Sequence, residues 1–355
     1  MKILLATNMF PNSYKPFSGI FIKSHVQLIK EKFGTDCIVI TGDGSDNSFL
    51  SVFKKYLLFT IRIITTTLSK KFQLIHAHYT FPTGFISLIS KWVSRKKMVL
   101  TVHGNDINAI NKKNTFLFYL SKFTLQQSDQ IIAVSLNLKR KIMEKFGIPE
   151  SKITVIDMGF NPQIFHPVVK PKNEQNRPFT ILFVGRLIPV KGVNILIKAL
   201  SILKMTSKIK FKCNIIGVGE QKQIYEKMVR RKSLNGQVEF VGAKSQQEIA
   251  ELMRGSDVVT IPSLEEGFGL VAIESFACGV PVIGSSTGGL KSLIIEGKNG
   301  YLFSPEDSQE LSKKLKLLNQ ESKIKTDSCI ASVSKYDMNL KVSEIYQLYN
   351  RMIIE

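Results

Sequence analysis

Glu266 and Glu274 are separated by seven residues and flank a Gly267-Phe268-Gly269 turn in this chain of 355 residues. The run before them, 257–262, is short and apolar, as a buried strand requires, and a helix is expected from about Gly269 onward. A glycine-bearing turn lets the backbone come close to a ligand, and the first amides of a helix have no acceptor of their own. Such a helix start suits phosphate or sugar oxygens. A carboxylate against a phosphate is repelled, so the two glutamates make sense as acceptors from hydroxyls. A vicinal diol fits the paired oxygens of a carboxylate. One diol would belong to a ribose and another to a transferred sugar.

Two cations occur in a second loop, Gly185-Arg186-Leu187-Ile188-Pro189-Val190-Lys191-Gly192, between a strand and a helix. A diphosphate leaving group gains negative charge as its bond to a sugar breaks. A guanidinium and an ammonium stabilise that charge without Mg²⁺. A third constellation is His103-Gly104-Asn105-Asp106, with the histidine at the carboxyl end of a strand and Asp106 just after it. Gly217-Val218-Gly219 lacks the third glycine of a dinucleotide fingerprint and reads as a wall of the nucleotide site.

Taken with the downstream Gly279-Val280-Pro281-Val282-Ile283, the glutamate pair and its Gly-Phe-Gly turn resemble the retaining family-4 glycosyltransferases with the GT-B fold, of bacterial cell-envelope polysaccharide type. The resemblance implies transfer of a hexose-type sugar from a UDP- or GDP-linked donor by same-face substitution, with no metal and no cofactor beyond this nucleotide-sugar co-substrate. It implies that Glu266 contacts donor hexose hydroxyls and Glu274 the ribose diol. The amides of Gly267, Phe268, Gly269, Leu270 and Val271 hold the sugar and distal phosphate. Arg186 and Lys191 match the family's leaving-group cations, and His103 matches the histidine near the transferred sugar. Many relatives carry two glycines after the first strand; here Ser18 precedes Gly19, so only Gly19 is carried over, to the donor side. His76-Ala77-His78 resembles another family element, with Gln73 where an aspartate is frequent, and His78 is an acceptor-side candidate. Ser285-Ser286-Thr287-Gly288-Gly289 resembles a loop below the donor.

Short apolar runs alternate with amphipathic helical stretches, the pattern of an α/β protein with parallel sheets. Strands are expected at 2–7, 37–41, 74–78, 98–103, 130–135 and 153–158, then at 179–185, 212–217, 238–242, 257–262, 281–285 and 300–303. These are two Rossmann-like, doubly wound domains with strand ends facing a central cleft. The acceptor-side domain is expected over residues 1–168 and the donor-nucleotide domain over 179–336. The proline-bearing polar stretch 169–178 reads as the linker. Residues 337–355 read as a terminal helix, with the N-terminal domain as its candidate seat.

With 49 basic and 28 acidic residues the net charge is +21. The first 168 residues hold 22 basic and 9 acidic side chains, so the excess is greater there. Residues 51–72 combine an apolar stretch, interrupted by Arg62, with basic flanks, and Arg95-Lys96-Lys97 adds a further cluster. This is too short to span a bilayer and reads either as a crossover helix or as one lying in the headgroup layer. The expected partners are therefore a nucleotide-sugar donor, a glycan or lipid-linked acceptor and an anionic membrane surface, with no nucleic acid. Four isolated cysteines and the lack of a signal-peptide pattern at the start suggest the cytoplasm, on the inner face of the membrane. Rival readings are a sugar-nucleotide epimerase of the same fold and a basic polyanion-binding protein. The first would change a donor's sugar without an acceptor, and the second would retain RNA in a salt-dependent way.

Overall fold

The computed structural model describes residues 1–12, 18–41, 49–108, 110, 115–168, 177–321 and 324–354. The linker stretch 169–176 and Pro16 and Phe17 of the first glycine loop lie outside the described residues. The chain divides into two compact units, residues 1–158 with 338–355, and residues 159–337.

The first unit is a six-stranded parallel sheet of β1 (Lys2–Thr7), β2 (Asp36–Thr41), β3 (Leu74–His78), β4 (Met98–Val102), β5 (Gln130–Ala133) and β6 (Ile153–Val155). The strand order is β2-β1-β3-β4-β5-β6. Strands β3 and β4 are buried at every position, as expected of apolar runs covered on both faces. The last strand is shorter than the expected 153–158. Its ladder ends at the Ile156 amide, 3.1 Å from the Ala133 carbonyl, because its only neighbour β5 stops at Ala133.

The second unit repeats the plan with β7 (Phe179–Val184), β8 (Phe211–Ile216), β9 (Val238–Gly242), β10 (Val258–Ile261), β11 (Val282–Ser285) and β12 (Gly300–Phe303), all parallel. Its order, β12-β11-β10-β7-β8-β9, reverses direction between β7 and β10. The first unit reverses between β1 and β3. At such a switch point the two flanking connections leave to opposite faces, and a crevice opens at the strand carboxyl ends. The core of the second unit joins Ile181, Phe183 and Ile215 of the sheet to Leu196, Leu200 and Leu203 of helix Val193–Thr206.

Helix Met338–Ile354 packs within the first unit, against helix Ile20–Phe33 and β3. The rings of Tyr346 and Phe33 stack with centroids 4.0 Å apart. Lys32 Nζ donates to the Asn339 carbonyl at 3.3 Å and to Ser343 Oγ at 3.1 Å. Val342, Leu348 and Met352 enter the same core as Ile3, Leu74 and Ile132. The inward face of this helix, through Met352, is therefore part of the first unit's core. Leu348→Ala leaves a cavity there, and urea unfolding of the full chain should show a loss of about 2–5 kcal/mol. A loss under about 0.5 kcal/mol would mean that the helix contributes little to the core.

Candidate active site

In the second unit four loops meet at the strand carboxyl ends, and backbone hydrogen bonds join them. The Leu264 amide donates to the Val190 carbonyl at 2.8 Å, tying the loop after β10 to the loop after β7 across the switch point. The Leu187 amide donates to the Val218 carbonyl at 2.9 Å, adding the Gly217-Val218-Gly219 loop. The Gly289 amide donates to the Glu266 carbonyl at 3.2 Å, adding the loop after β11. These approaches leave no room for side chains at two points. A Cβ on Gly192, where φ is +68°, would stand 1.9 Å from the Pro262 carbonyl oxygen. One on Gly288, at φ +46°, would stand 1.7 Å from the Glu266 carbonyl oxygen. Glycine is required at both by space and by backbone conformation.

Lys191 and Glu266, drawn from opposite sides of the switch point, form an ion pair with Nζ 2.7 Å from Oε2. Ser263 Oγ donates to the same oxygen at 3.2 Å. Glu266 Oε1 has no partner among the described residues, so one carboxylate oxygen is anchored and the other is open. The pair was not foreseen from the sequence, which set Lys191 against phosphate and Glu266 against hydroxyls. Ser263 and Thr287 were missed as well. Ser285 Oγ and Thr287 Oγ1 both donate to the Ser263 carbonyl, the latter at 3.5 Å, and so brace the segment carrying Glu266. Their legible signal was the hydroxyl-rich Ser285-Ser286-Thr287 run. Arg186 projects into solvent and pairs with no acid among the described residues.

Helix Leu270–Ala277 starts one residue after Gly269, and the Leu270 and Val271 amides meet no acceptor among the described residues. Glu274 sits on its second turn with 7% of its surface exposed. No group among the described residues donates to its carboxylate or pairs with it. Burial alone pushes its pKa up to about 8. An acidic group buried in that way is poised to accept from hydroxyls brought by a ligand.

The first unit gathers histidines at the carboxyl ends of β3 and β4. His78 Nδ1 lies 2.9 Å from His103 Nε2, and the two rings stack at 5.2 Å. His76 Nε2 lies 2.7 Å from Thr101 Oγ1, and its Nδ1 meets the hydroxyl of Tyr349 from the terminal helix. Burial, reinforced by the neighbouring imidazoles, holds His76 and His103 down to about 3 and His78 well below its ordinary value. These rings are neutral at pH 7, so the His78–His103 bond needs the proton on one of the two facing nitrogens and a lone pair on the other. Asp106 is turned to the backbone. Its carboxylate accepts from the Thr80, His103 and Gly104 amides at 3.0–3.2 Å, fixing the loop that presents His103. Burial raises its pKa to about 6 against the pull of those amides. Gly19 caps helix Ile20–Phe33, and Phe21 of that helix lies 5.2 Å from the His103 ring.

The family model for "Glycosyltransferase Family 4" matches residues 34–164, and that for "Glycosyl transferases group 1" matches residues 167–332. An uncharacterized glycosyltransferase of Methanocaldococcus jannaschii is 34% identical over 343 residues, covering 92% of this chain and 91% of that protein. TuaC of Bacillus subtilis, whose name attaches it to teichuronic acid biosynthesis, is 26% identical over 88% of this chain and 87% of its own length. The structure of Anabaena HepE in complex with UDP-glucose superposes with a TM-score of 0.79 at 20% identity, covering 99% of this chain and all of that one. The chain belongs to the family-4 type glycosyltransferases with the GT-B fold.

The isolation of Glu274 has a consequence for stability. Below its ordinary value of 4.5 both folded and unfolded chains hold the proton, so it contributes no pH dependence. Between 4.5 and about 8 the unfolded chain loses the proton while the folded chain keeps it, so stability falls as pH rises. Glu274→Gln should abolish this fall and be more stable than the parent above pH 8 in urea titrations. A variant with the parent's pH slope would show that Glu274 is ionised in the folded chain.

Proposed function

We propose that this glycosyltransferase moves a hexose-type sugar from a UDP- or GDP-linked donor to a cell-envelope glycan or lipid-linked acceptor, retaining the anomeric configuration. The observation that carries the donor reading is Glu274, a buried carboxylate with no donor among the described residues, on a helix whose first amides meet no acceptor among them. A ribose diol supplies the two O–H groups that carboxylate lacks. The open Oε1 of Glu266 takes a hydroxyl of the sugar, while Lys191 and Ser263 hold its other oxygen. The free amides of Leu270 and Val271 are suited to the distal phosphate.

As the glycosidic bond lengthens, charge develops on the diphosphate and on the anomeric carbon. Arg186, which pairs with no acid among the described residues, and Lys191 are the cations that stabilise the leaving group in place of a divalent metal. No carboxylate in this reading is assigned as a nucleophile, since Glu266 and Glu274 are committed to hydroxyls. Substitution then proceeds on the face the nucleotide leaves, with the departing phosphate accepting the proton of the incoming hydroxyl. The family resemblance assigns His103, neutral and bonded to His78, to a sugar hydroxyl and Gly19 to the donor. The name of TuaC and the UDP-glucose bound to HepE support the acceptor and donor classes. Among the described residues no helix is long and apolar enough to cross a membrane. The basic first 168 residues support a peripheral position on the inner face of the cell membrane.

The purified chain, incubated with UDP- and GDP-sugars and washed membranes, should consume one donor, release its nucleoside diphosphate and transfer the sugar to a lipid-extractable or polymeric product. Arg186→Ala should lower turnover by about 10²–10³-fold. Epimerisation of a donor without transfer, or release of diphosphate undiminished in Arg186→Ala, would refute the assignment.

A further inference from the structure

Connections β2 to β3, β3 to β4 and β4 to β5 all step the same way across the first sheet. Right-handed crossovers therefore set their helices, Phe49–Ser69, Phe85–Ser94 and Thr115–Gln127, side by side on one face. The first buries Phe59 and Ile63 inward, and Thr67 Oγ1 bonds Ser90 Oγ of the second at 2.7 Å. Its outward face is apolar too. Phe53, Leu57, Ile61, Ile64 and Leu68 recur at intervals of three and four residues, and all are exposed, Phe53 at 61% and Leu68 at 73%. They form a stripe about 22 Å long on the solvent side. A helix apolar on both faces has a second apolar partner to meet.

The stripe continues onto the neighbouring helices. Trp92, the only tryptophan of the chain, is 53% exposed and meets Phe123 edge-on at 6.3 Å. Phe116 and Tyr119, on the same helix as Phe123, are exposed at 74% and 61%. The three helices contain no Asp or Glu. Cations collect where the first two end. A concavity of about 470 Å³ is lined by Lys70, Lys71, Lys96 and hydroxyls of Thr67, Ser69 and Ser94. Another of about 310 Å³ sets Trp92 among Arg95, Lys96 and Lys97, with Asp129 in its wall paired to Lys91.

We propose that this three-helix face is the docking plane for an anionic lipid bilayer, and that it presents the first unit's strand ends to a lipid-borne acceptor. The reading rests on the transferase assignment above and names the surface and acceptor class it left general. Apolar side chains enter the headgroup and acyl boundary, Trp92 and Tyr119 occupy the interface, and the lysine-lined concavities take lipid phosphates. Charge selects this occupant over a second copy, because the three helices carry cations and no acid, so a second such face offers them no complementary charge.

The docking plane also sets an orientation. The three helices return along the sheet, so helices lying in the membrane plane hold the strands parallel to it. The edge of β3 and β4 that carries His78 and His103 then opens sideways, raised above the lipid by roughly one helix diameter, about 10–12 Å, less the depth of immersion. The acceptor that meets it is an amphiphile whose reacting hydroxyl stands on a polar head several ångströms tall, such as a sugar on a lipid phosphate. A hydroxyl at the acyl boundary lies too low.

Trp92 reports directly on the plane. With vesicles containing phosphatidylglycerol its emission should shift to the blue and be quenched by lipids brominated near the head end of the acyl chain. Phosphatidylcholine vesicles should give neither effect, and salt should weaken both. The exposed triple variant Phe53→Ser/Ile61→Ser/Leu68→Ser should bind anionic vesicles at least about tenfold more weakly. It should still bind the nucleotide-sugar donor while losing transfer to a vesicle-borne acceptor. Unchanged Trp92 emission, undiminished sedimentation of the variant with vesicles, or a lipid-free dimer that buries Trp92 would overturn the proposal. Donor consumption is scored in the same preparations. Vesicle binding without consumption counts against the transferase reading alone, and consumption without a Trp92 response counts against the docking plane alone.

Discussion

Backbone packed directly on backbone holds the candidate donor site together. The loops after β7 and β10 leave the sheet on either side of its switch point, and only glycine at 192 lets the first pass against the Pro262 carbonyl. The loop after β11 is seated on the Glu266 carbonyl by the same device at Gly288. Side chains that end up in contact, such as Lys191 and Glu266, are 75 residues apart in sequence. Their meeting follows from strand order, because parallel strands deliver all their loops to one edge.

On that frame the electrostatics are deliberately incomplete. Among the described residues Glu266 has a cation and a hydroxyl on one oxygen and no partner on the other, no group donates to Glu274, and no acid pairs with Arg186. A folded protein ordinarily satisfies buried polar groups, and leaving one unmade costs about 1–3 kcal/mol. A ligand that brings hydroxyls to the acids and phosphate to the cations removes the deficit in one step. In the first unit the logic differs. The imidazoles and Asp106 bond one another or the backbone, so His103 is held by neutral imidazole and main-chain partners.

Much of this was legible beforehand because parallel α/β folds write themselves locally. Strands such as Met98–Val102 are short, mostly apolar runs, and each is followed by its own loop chemistry. The glutamate spacing, the cations at Arg186 and Lys191 and the position of His103 could be placed at strand ends for that reason. What escaped were relations between distant segments. Nothing near His76 announces Tyr349, 273 residues away, and the Lys191–Glu266 pair depends on the order of β7 and β10. The part Asp106 plays was not legible, because a short loop acid looks the same in sequence whether or not three backbone amides bind it. For residues 51–72 the sequence left open a buried crossover helix or a surface one. The helix Phe49–Ser69 buries Phe59 and Ile63 and still exposes an apolar stripe.

Hydrogen exchange followed by mass spectrometry, with and without a UDP- or GDP-sugar in the presence of EDTA, tests most directly whether the donor is held on these loops. Protection is predicted to rise over residues 185–192, 262–271 and 285–290, with the amides of Leu270 and Val271 among the most affected. Protection confined to other parts of the chain, or seen only when a divalent metal is restored, would contradict the assignment of the donor to this metal-free set of loops.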